Sequence, residues 1–314
     1  MEKNCMTFQN LSEEWLNLKK MYVKYSSYSK YENIVYLHLI PFFEKYILND
    51  IDDKLIVTFL TEELQGKKLS NSSMKTILFT IQSIFQFAED KYHIHHINLN
   101  YFKLPKSKIK CDVLGNDEKQ YLERYSLLHL ESISVCILLG LYAGLRIGEI
   151  CALQWEDIDL KAGTIEIKKT VQRLKNKENN ASKTTLIISD PKTITSQRIV
   201  PIPLFLKEYL CQYYNINKEK NDQYYVVSNS LKLVDPRTVQ YKFHKLCQQY
   251  DIHMNFHALR HTYATNCVMS GVDVKSLSEI LGHSNISTTL NLYVHSSLKF
   301  KMSQVDKIEK PMLS

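Results

Sequence analysis

No Cys-x-x-Cys pair occurs among the seven cysteines of this 314-residue chain, and their number is odd. Both a disulfide framework and a structural zinc site are therefore disfavoured, and a reducing compartment is expected. Cys136 and Cys151 lie in apolar helical stretches and read as small core residues. The N-terminus, Met1 to Asn10, lacks the apolar core of a signal peptide. The longest apolar run, Ile133 to Leu145, is too short to span a bilayer and reads as a buried helix. No Gly-x-x-x-x-Gly-Lys-Ser/Thr loop is present to cradle a nucleoside triphosphate. Internal repeats are absent too. A soluble, cytoplasmic protein without a membrane partner is expected.

What is present suits a polyanionic partner without proving one. Forty Lys plus Arg stand against 33 Asp plus Glu, a formal net charge of +7; many soluble proteins carry as much. Hydrophobic content of 44% is ample for cores. The length predicts two domains of ~150 residues.

The first hundred residues read as a helical bundle. Phe8, Leu11, Trp15, Leu18 and Tyr22 recur at three- and four-residue spacing. A second pattern runs from Ile34 to Tyr46, with Pro41 a kink or break, and a third from Leu55 to Leu64. A fourth helix begins near Ser70-Asn71-Ser72, whose side chains can cap it, and continues to Tyr92. Residues 103–113 read as a basic linker: Lys103, Lys106, Lys108 and Lys110 share it with a proline, and residues 103–110 hold no acid. It is solvated by composition, and its lysines are candidates for lying against phosphates. From residue 114 a mostly helical second domain is expected. It has one small antiparallel sheet drawn from Thr164–Val171, Thr184–Ile188 and Arg198–Ile202, with a polar loop at 175–183.

Five short stretches of that domain carry chemistry: Ala143 to Glu149, Pro191-Lys192-Thr193, His257-Ala258-Leu259-Arg260-His261, Leu281-Gly282-His283 and Tyr293. Two arginines can hold the non-bridging oxygens of one phosphate, where negative charge grows in a transition state. Lysine and histidine can move protons, and a tyrosine can attack phosphorus. Singly, each has a plainer reading. Arg146 can satisfy carbonyls at a helix end, Glu149 can pair with it along a helix, and His283 can be a turn residue behind the Gly282 helix cap. The pair His257 and His261 suggests zinc, but Ala258 stands where a zincin places glutamate. Tyr293 is one of 20 tyrosines, and its place ten residues after His283 is what singles it out.

Together, in this order, they resemble the tyrosine recombinase (phage integrase) family. Its G-L-R-x-x-E segment is matched by Gly144, Leu145, Arg146 and Glu149; its H-x-x-R by His257 and Arg260; its L-G-H by His283; its nucleophile by Tyr293. Lys192, followed by Gln197-Arg198-Ile199-Val200-Pro201, matches the lysine that the family carries on a β-hairpin turn, with Lys183 the nearest competitor. The resemblance implies a mainly α, two-domain fold. A core-binding bundle at 1–102 and the linker would precede a catalytic domain at 114–314. It implies six catalytic residues (Arg146, Lys192, His257, Arg260, His283 and Tyr293), with Glu149 and His261 in support and neither metal nor other cofactor. The reaction it implies is strand exchange through a 3′-phosphotyrosyl link and a Holliday junction, by a homotetramer on paired core-type sites in double-stranded DNA. An accessory directionality factor is left open, as is service to a mobile element or to chromosome-dimer resolution. Only about ten residues precede the first helical pattern, so the arm-binding domain of some integrases is expected to be absent. The tail from Leu298 through Phe300, Met302, Val305 and Ile308 has apolar spacing suited to docking on a neighbouring subunit.

Two other classes compete. A metal-dependent transposase or nuclease needs converging acids, and Asp157 with Asp159 reads as a turn instead. A binding-only protein that keeps the fold would not need all six residues.

Overall fold

In a computed structural model, residues 6–63, 66, 69–94, 97, 99, 102, 104, 112–176, 184–190, 197–216, 221–283, 285–293, 302 and 305 are described. The chain divides into a unit at 1–109 and a unit at 110–314.

The first unit is helical. α1 (Phe8–Tyr22) starts where the Thr7 side chain accepts the Asn10 amide. It buries Phe8, Leu11, Trp15 and Leu16, whereas Leu18 and Tyr22 of the anticipated stripe face solvent. Over fifteen residues a straight helix rotates that stripe off the core. α2 (Tyr25–Ile34) begins earlier than its polar Ser/Tyr-rich sequence signals. It passes through a π-helical turn, Val35–Leu39, into the short α3 (Ile40–Phe43). Pro41 sits in the first turn of α3, where its missing N–H costs nothing, so the break anticipated there is a change of helical winding. α4 (Asp53–Thr58) also runs into a π turn, Phe59–Glu63. α5 (Asn71–Tyr92) is capped by Ser70, whose hydroxyl accepts the Ser73 amide, as the capping pattern predicts. The core between them is aromatic: Phe8 and Phe43 pack at 4.9 Å, Phe43 and Phe59 at 5.1 Å, and Trp15 donates its indole N–H to Ser83.

The second unit is built around one helix that is apolar on every side. α6 (Asn116–Leu128) leads to α7 (Ser132–Tyr142), in which every residue from Ile133 to Leu141 is buried. A helix hydrophobic all round must be enclosed by others. α8 (Ile147–Ala152), α9 (Leu204–Tyr214), α10 (Pro236–Gln248) and α11 (His257–Met269) pack against it. Gly140 permits the closest approach: a Cβ there would lie 3.0 Å from Leu259 Cβ. α12 (Val274–Leu281) and α13 (Ile286–Tyr293) follow, and α13 packs on α11 and α12.

The β structure forms two sheets where one was anticipated. β2 (Thr164–Ile167) pairs antiparallel with β1 (Ile158–Asp159) and with β5 (Arg198–Pro201), in register Ile165 with Val200 and Ile167 with Arg198. β3 (Thr170–Lys175) and β4 (Thr184–Ser189) form a separate hairpin. The single run read as Thr164–Val171 is thus divided at Lys168-Lys169. Lys168 turns to Asp157 and Glu166, and Lys169 to the Gln154 side chain. β4 and β5, the strands that precede and follow position 192 in sequence, therefore belong to different sheets.

Candidate active site

Arg146 is placed by a turn that only glycine can make. The chain leaves α7 through Gly144 at φ +63, where a Cβ would stand 2.5 Å from the Tyr263 ring and 3.0 Å from Leu281. Two residues on, Arg146 caps the N-terminus of α8 with extended backbone. Glu149 Oε2 accepts the Arg146 backbone N–H at 2.9 Å, and Oε1 accepts Arg146 Nη1 at 2.8 Å. The first turn of α8 is so satisfied by the acid its dipole favours. Gly148 lets this helix lie on the hairpin, since a Cβ there would meet Val171 O at 2.6 Å.

Glu149 holds a second arginine that sequence reasoning passed over. Arg198, on the inward face of β5, donates Nη2 to Oε2 at 2.9 Å and Nη1 to Oε1 at 3.1 Å. The pair is almost fully buried, at 5% and 4% exposure. Burial alone would raise the carboxyl pKa. The Arg198 hydrogen bonds and charge, with Arg146 behind them, outweigh it and bring the group down to about 2. The signal for Arg198 lay in the strand's alternation: it shares the inward face with Val200 while Ile199 points out. A lone cation on such a face implies a buried acid.

The end of α12 gathers the guanidiniums. Gly282 adopts φ +60, and the Gly282 and His283 amides donate back to Glu279 and Ser278, closing the helix as its Leu-Gly-His sequence predicts. The next three carbonyls each accept from a different arginine. Ile280 O takes Arg198 Nε at 2.6 Å, Leu281 O takes Arg260 Nη2 at 2.6 Å, and Gly282 O takes Arg146 Nη2 at 3.3 Å. Carbonyls left over at a helix C-terminus carry partial negative charge and lack partners of their own, so cations collect there. Arg260 also donates Nη1 to Gly144 O at 2.5 Å and lies 3.1 Å from His283 Nε2. Arg260 is 3% exposed, whereas the Arg146 side chain is 37% exposed.

His257 and His261 stand one turn apart on α11, rings edge to face at 4.5 Å. His257 is partly exposed and His261 is half-buried. Desolvation lowers both pKa values; His261, Arg260 and Arg146 add to the effect on His257, and Arg260 to that on His261. Burial, then Arg260, Arg146 and Arg198, bring His283 down to about 4. At neutral pH these imidazoles are free to accept protons. Tyr293 is the last residue of α13. Lys192 and Lys183, the linker residues Lys103, Lys106, Lys108 and Lys110, and the tail apart from Met302 and Val305 lie outside the described residues. Asp157 Oδ2 accepts the Gln154 amide at 3.1 Å, and Asp159 Oδ1 accepts those of Lys161 and Ala162 at 2.8 Å, so both acids serve local turns.

The phage integrase family model matches residues 117–299, more than half the chain. The chain belongs to the phage integrase family. The N-terminal SAM-like domain of phage integrases matches residues 7–64. Membership makes the protein an enzyme, a tyrosine recombinase, that breaks and rejoins DNA strands by the family's mechanism. Among its relatives, a XerC-like tyrosine recombinase of Caldanaerobacter subterraneus is 29% identical over 265 residues, covering 78% of this chain and 67% of that one. The integrase of Staphylococcus phage L54a is 24% identical over 98% of this chain and 94% of its own. The fold is that of the Tn1549 transposon integrase solved in complex with transposon right end DNA: TM-score 0.79 at 19% identity, covering 96% of this chain and 99% of that one. In this recombinase, among the described residues, no helix is long and apolar enough to cross a membrane. No group of three or more His, Cys, Asp or Glu side chains among them is arranged to hold a metal ion.

Proposed function

We propose that this recombinase is the integrase of a mobile element, acting in the cytoplasm as a homotetramer on paired sites in double-stranded DNA. Its first unit and the basic linker at 103–113 grip the duplex, and residues 114–314 do the chemistry. The tail beyond Leu298 docks on a neighbouring subunit, and an accessory factor sets direction.

The phosphate binds where Arg146, Arg260 and His283 converge. Arg146, still open to solvent, and Arg260 hold its non-bridging oxygens as charge builds. The Tyr293 hydroxyl attacks phosphorus, its proton passing to the neutral His257. As the Tyr–O–P bond forms, the bond to the 5′ oxygen breaks, and Lys192 protonates that oxygen. The 5′-hydroxyl of the partner strand later attacks the phosphotyrosine and regenerates the tyrosine. One bond replaces another at each step, so the cycle runs without ATP.

The observation that carries this reading is the meeting of Arg146 and Arg260 at the 281–283 turn beside His283. Tyr293→Phe tests it on a nicked suicide substrate. The variant is expected to bind DNA as before and to form no denaturation-resistant adduct. An adduct formed by the Phe protein would assign the nucleophile elsewhere. Mapping wild-type adducts on DNA flanking the gene distinguishes element ends from a chromosomal dimer-resolution site.

A further inference from the structure

His283 lies between two partners of unequal chemistry, and together they fix where its proton resides. A guanidinium carries donors only. Arg260 Nη2 is 3.1 Å from His283 Nε2, so Nε2 must present a lone pair. The ring is then neutral with its hydrogen on Nδ1. Nδ1 lies 2.9 Å from Thr289 Oγ1, and that oxygen accepts it. Turned over, the ring would set carbons against both partners; doubly protonated, it would press an N–H against that of Arg260. Arg260 and His261 of α11, Arg146 at the head of α8 and Arg198 of β5 all face this ring, so the surroundings oppose a second proton. Thr289 itself is fully buried.

Thr289 belongs to α13, four residues and about one helical turn before Tyr293 in the chain. We infer that Thr289 is a positioning residue: it holds the His283 proton on Nδ1, leaving Nε2 as an oriented acceptor, and does so only while the helix bearing Tyr293 is seated. The inference rests on Tyr293 being the nucleophile. Withdrawal of α13 removes the acceptor at Nδ1, and the ring, then held by Arg260 alone, can turn away from it and carry its proton on either nitrogen. A site lacking its tyrosine therefore also lacks an oriented His283 ring. One helix carries the attacking group and sets the ring that stands beside the Arg260 guanidinium.

The test reads the tautomer directly. In full-length protein with ¹⁵N-labelled histidine, His283 (identified by loss of its signals in His283→Ala) is expected to show a protonated Nδ1 and a bare Nε2. A wild-type spectrum with the proton on Nε2 overturns the inference without any Thr289 variant. Thr289→Val removes the hydroxyl at nearly constant volume and should mix or reverse the tautomers, and Thr289→Ser should restore them. At saturating DNA, single-turnover cleavage by the Val protein should slow roughly three- to tenfold, the worth of one oriented hydrogen bond. DNA affinity should stay unchanged, and the Ser protein should recover the rate. In a His283→Ala background Thr289→Val should cost nothing further. An unchanged ¹⁵N pattern in the Val protein, or an equal rate loss in both backgrounds, would reduce Thr289 to a packing residue. The tautomer is read without catalysis: an adduct persisting in Tyr293→Phe would displace the nucleophile, and the Thr289 to His283 relationship would be judged separately.

Discussion

Glu149 and Arg198 are joined by two hydrogen bonds of 2.9 and 3.1 Å in a region where neither side chain is more than 5% exposed. The same carboxylate holds Arg146, so one acid fixes the guanidinium proposed to meet the phosphate and ties α8 to β5.

Glu149→Gln leaves the Arg198 charge buried without a counter-charge, and stability is expected to fall by ~3 kcal/mol. The sign with pH follows from the depressed pKa. The carboxylate's contribution is fully present above the ordinary 4.5 and is lost as pH falls toward about 2. Urea midpoints of wild type and variant should therefore converge over that window. A gap that stays constant with pH would mean the ion pair adds nothing to stability.

Arg146→Ala and Arg260→Ala should both slow cleavage by ~10²–10³ at saturating DNA. They should differ in stability. Arg260→Ala strips the Gly144 and Leu281 carbonyls of a buried donor, and each such carbonyl costs ~1–3 kcal/mol. The partly exposed Arg146 is cheaper to lose. Thermal melts beside single-turnover assays separate the two effects, and equal melting temperatures would contradict the difference in burial.

Lys192 as general acid predicts chemical rescue. On a 5′-bridging phosphorothiolate the leaving sulfur needs no proton, so Lys192→Ala should be slow on ordinary DNA and close to wild type on the sulfur substrate. Absence of rescue would move the role to Lys183.

In the free protein His283 should titrate near 4. Phosphate bound against it favours the imidazolium, so its pKa should rise on binding a DNA site whose scissile phosphate is present. It should rise less on a site with a neutral methylphosphonate there. NMR titration of the two complexes reads this, and identical values would place the phosphate elsewhere.

Gly144→Ala should be costly in a way its exposure does not suggest. The residue would have to keep φ +63 and admit a methyl group 2.5 Å from the Tyr263 ring. Displacing that turn moves Arg146 with it, so both stability and cleavage should drop.

Much of the chain could be read from its residues because local chemistry agreed with the fold. The Ser70 cap of α5, the enclosed α7 and the Leu281-Gly282-His283 helix end each rest on interactions within a few residues. The division of the β structure was not legible: no glycine or proline marks Lys168-Lys169, and the break is made by long-range partners of the two lysines. Arg198 was missed for a related reason. Its worth comes from Glu149, 49 positions away. The start of α2 was hidden because Tyr25-Ser26-Ser27-Tyr28 offers neither a stripe nor a strong cap.

The end of α12 hands three successive main-chain oxygens to three arginines, and main-chain atoms are common to every amino acid. Side chains at Ile280 can therefore be exchanged for others that pack without disturbing which guanidinium goes where. Length is another matter. Inserting or deleting a single residue within Val274–Leu281 turns everything beyond it by about 100°, offering each arginine its neighbour's oxygen and swinging His283 off its bearing. This stretch should tolerate spelling changes yet no change in the count of its letters, a reading-frame constraint imposed on the protein by its own backbone.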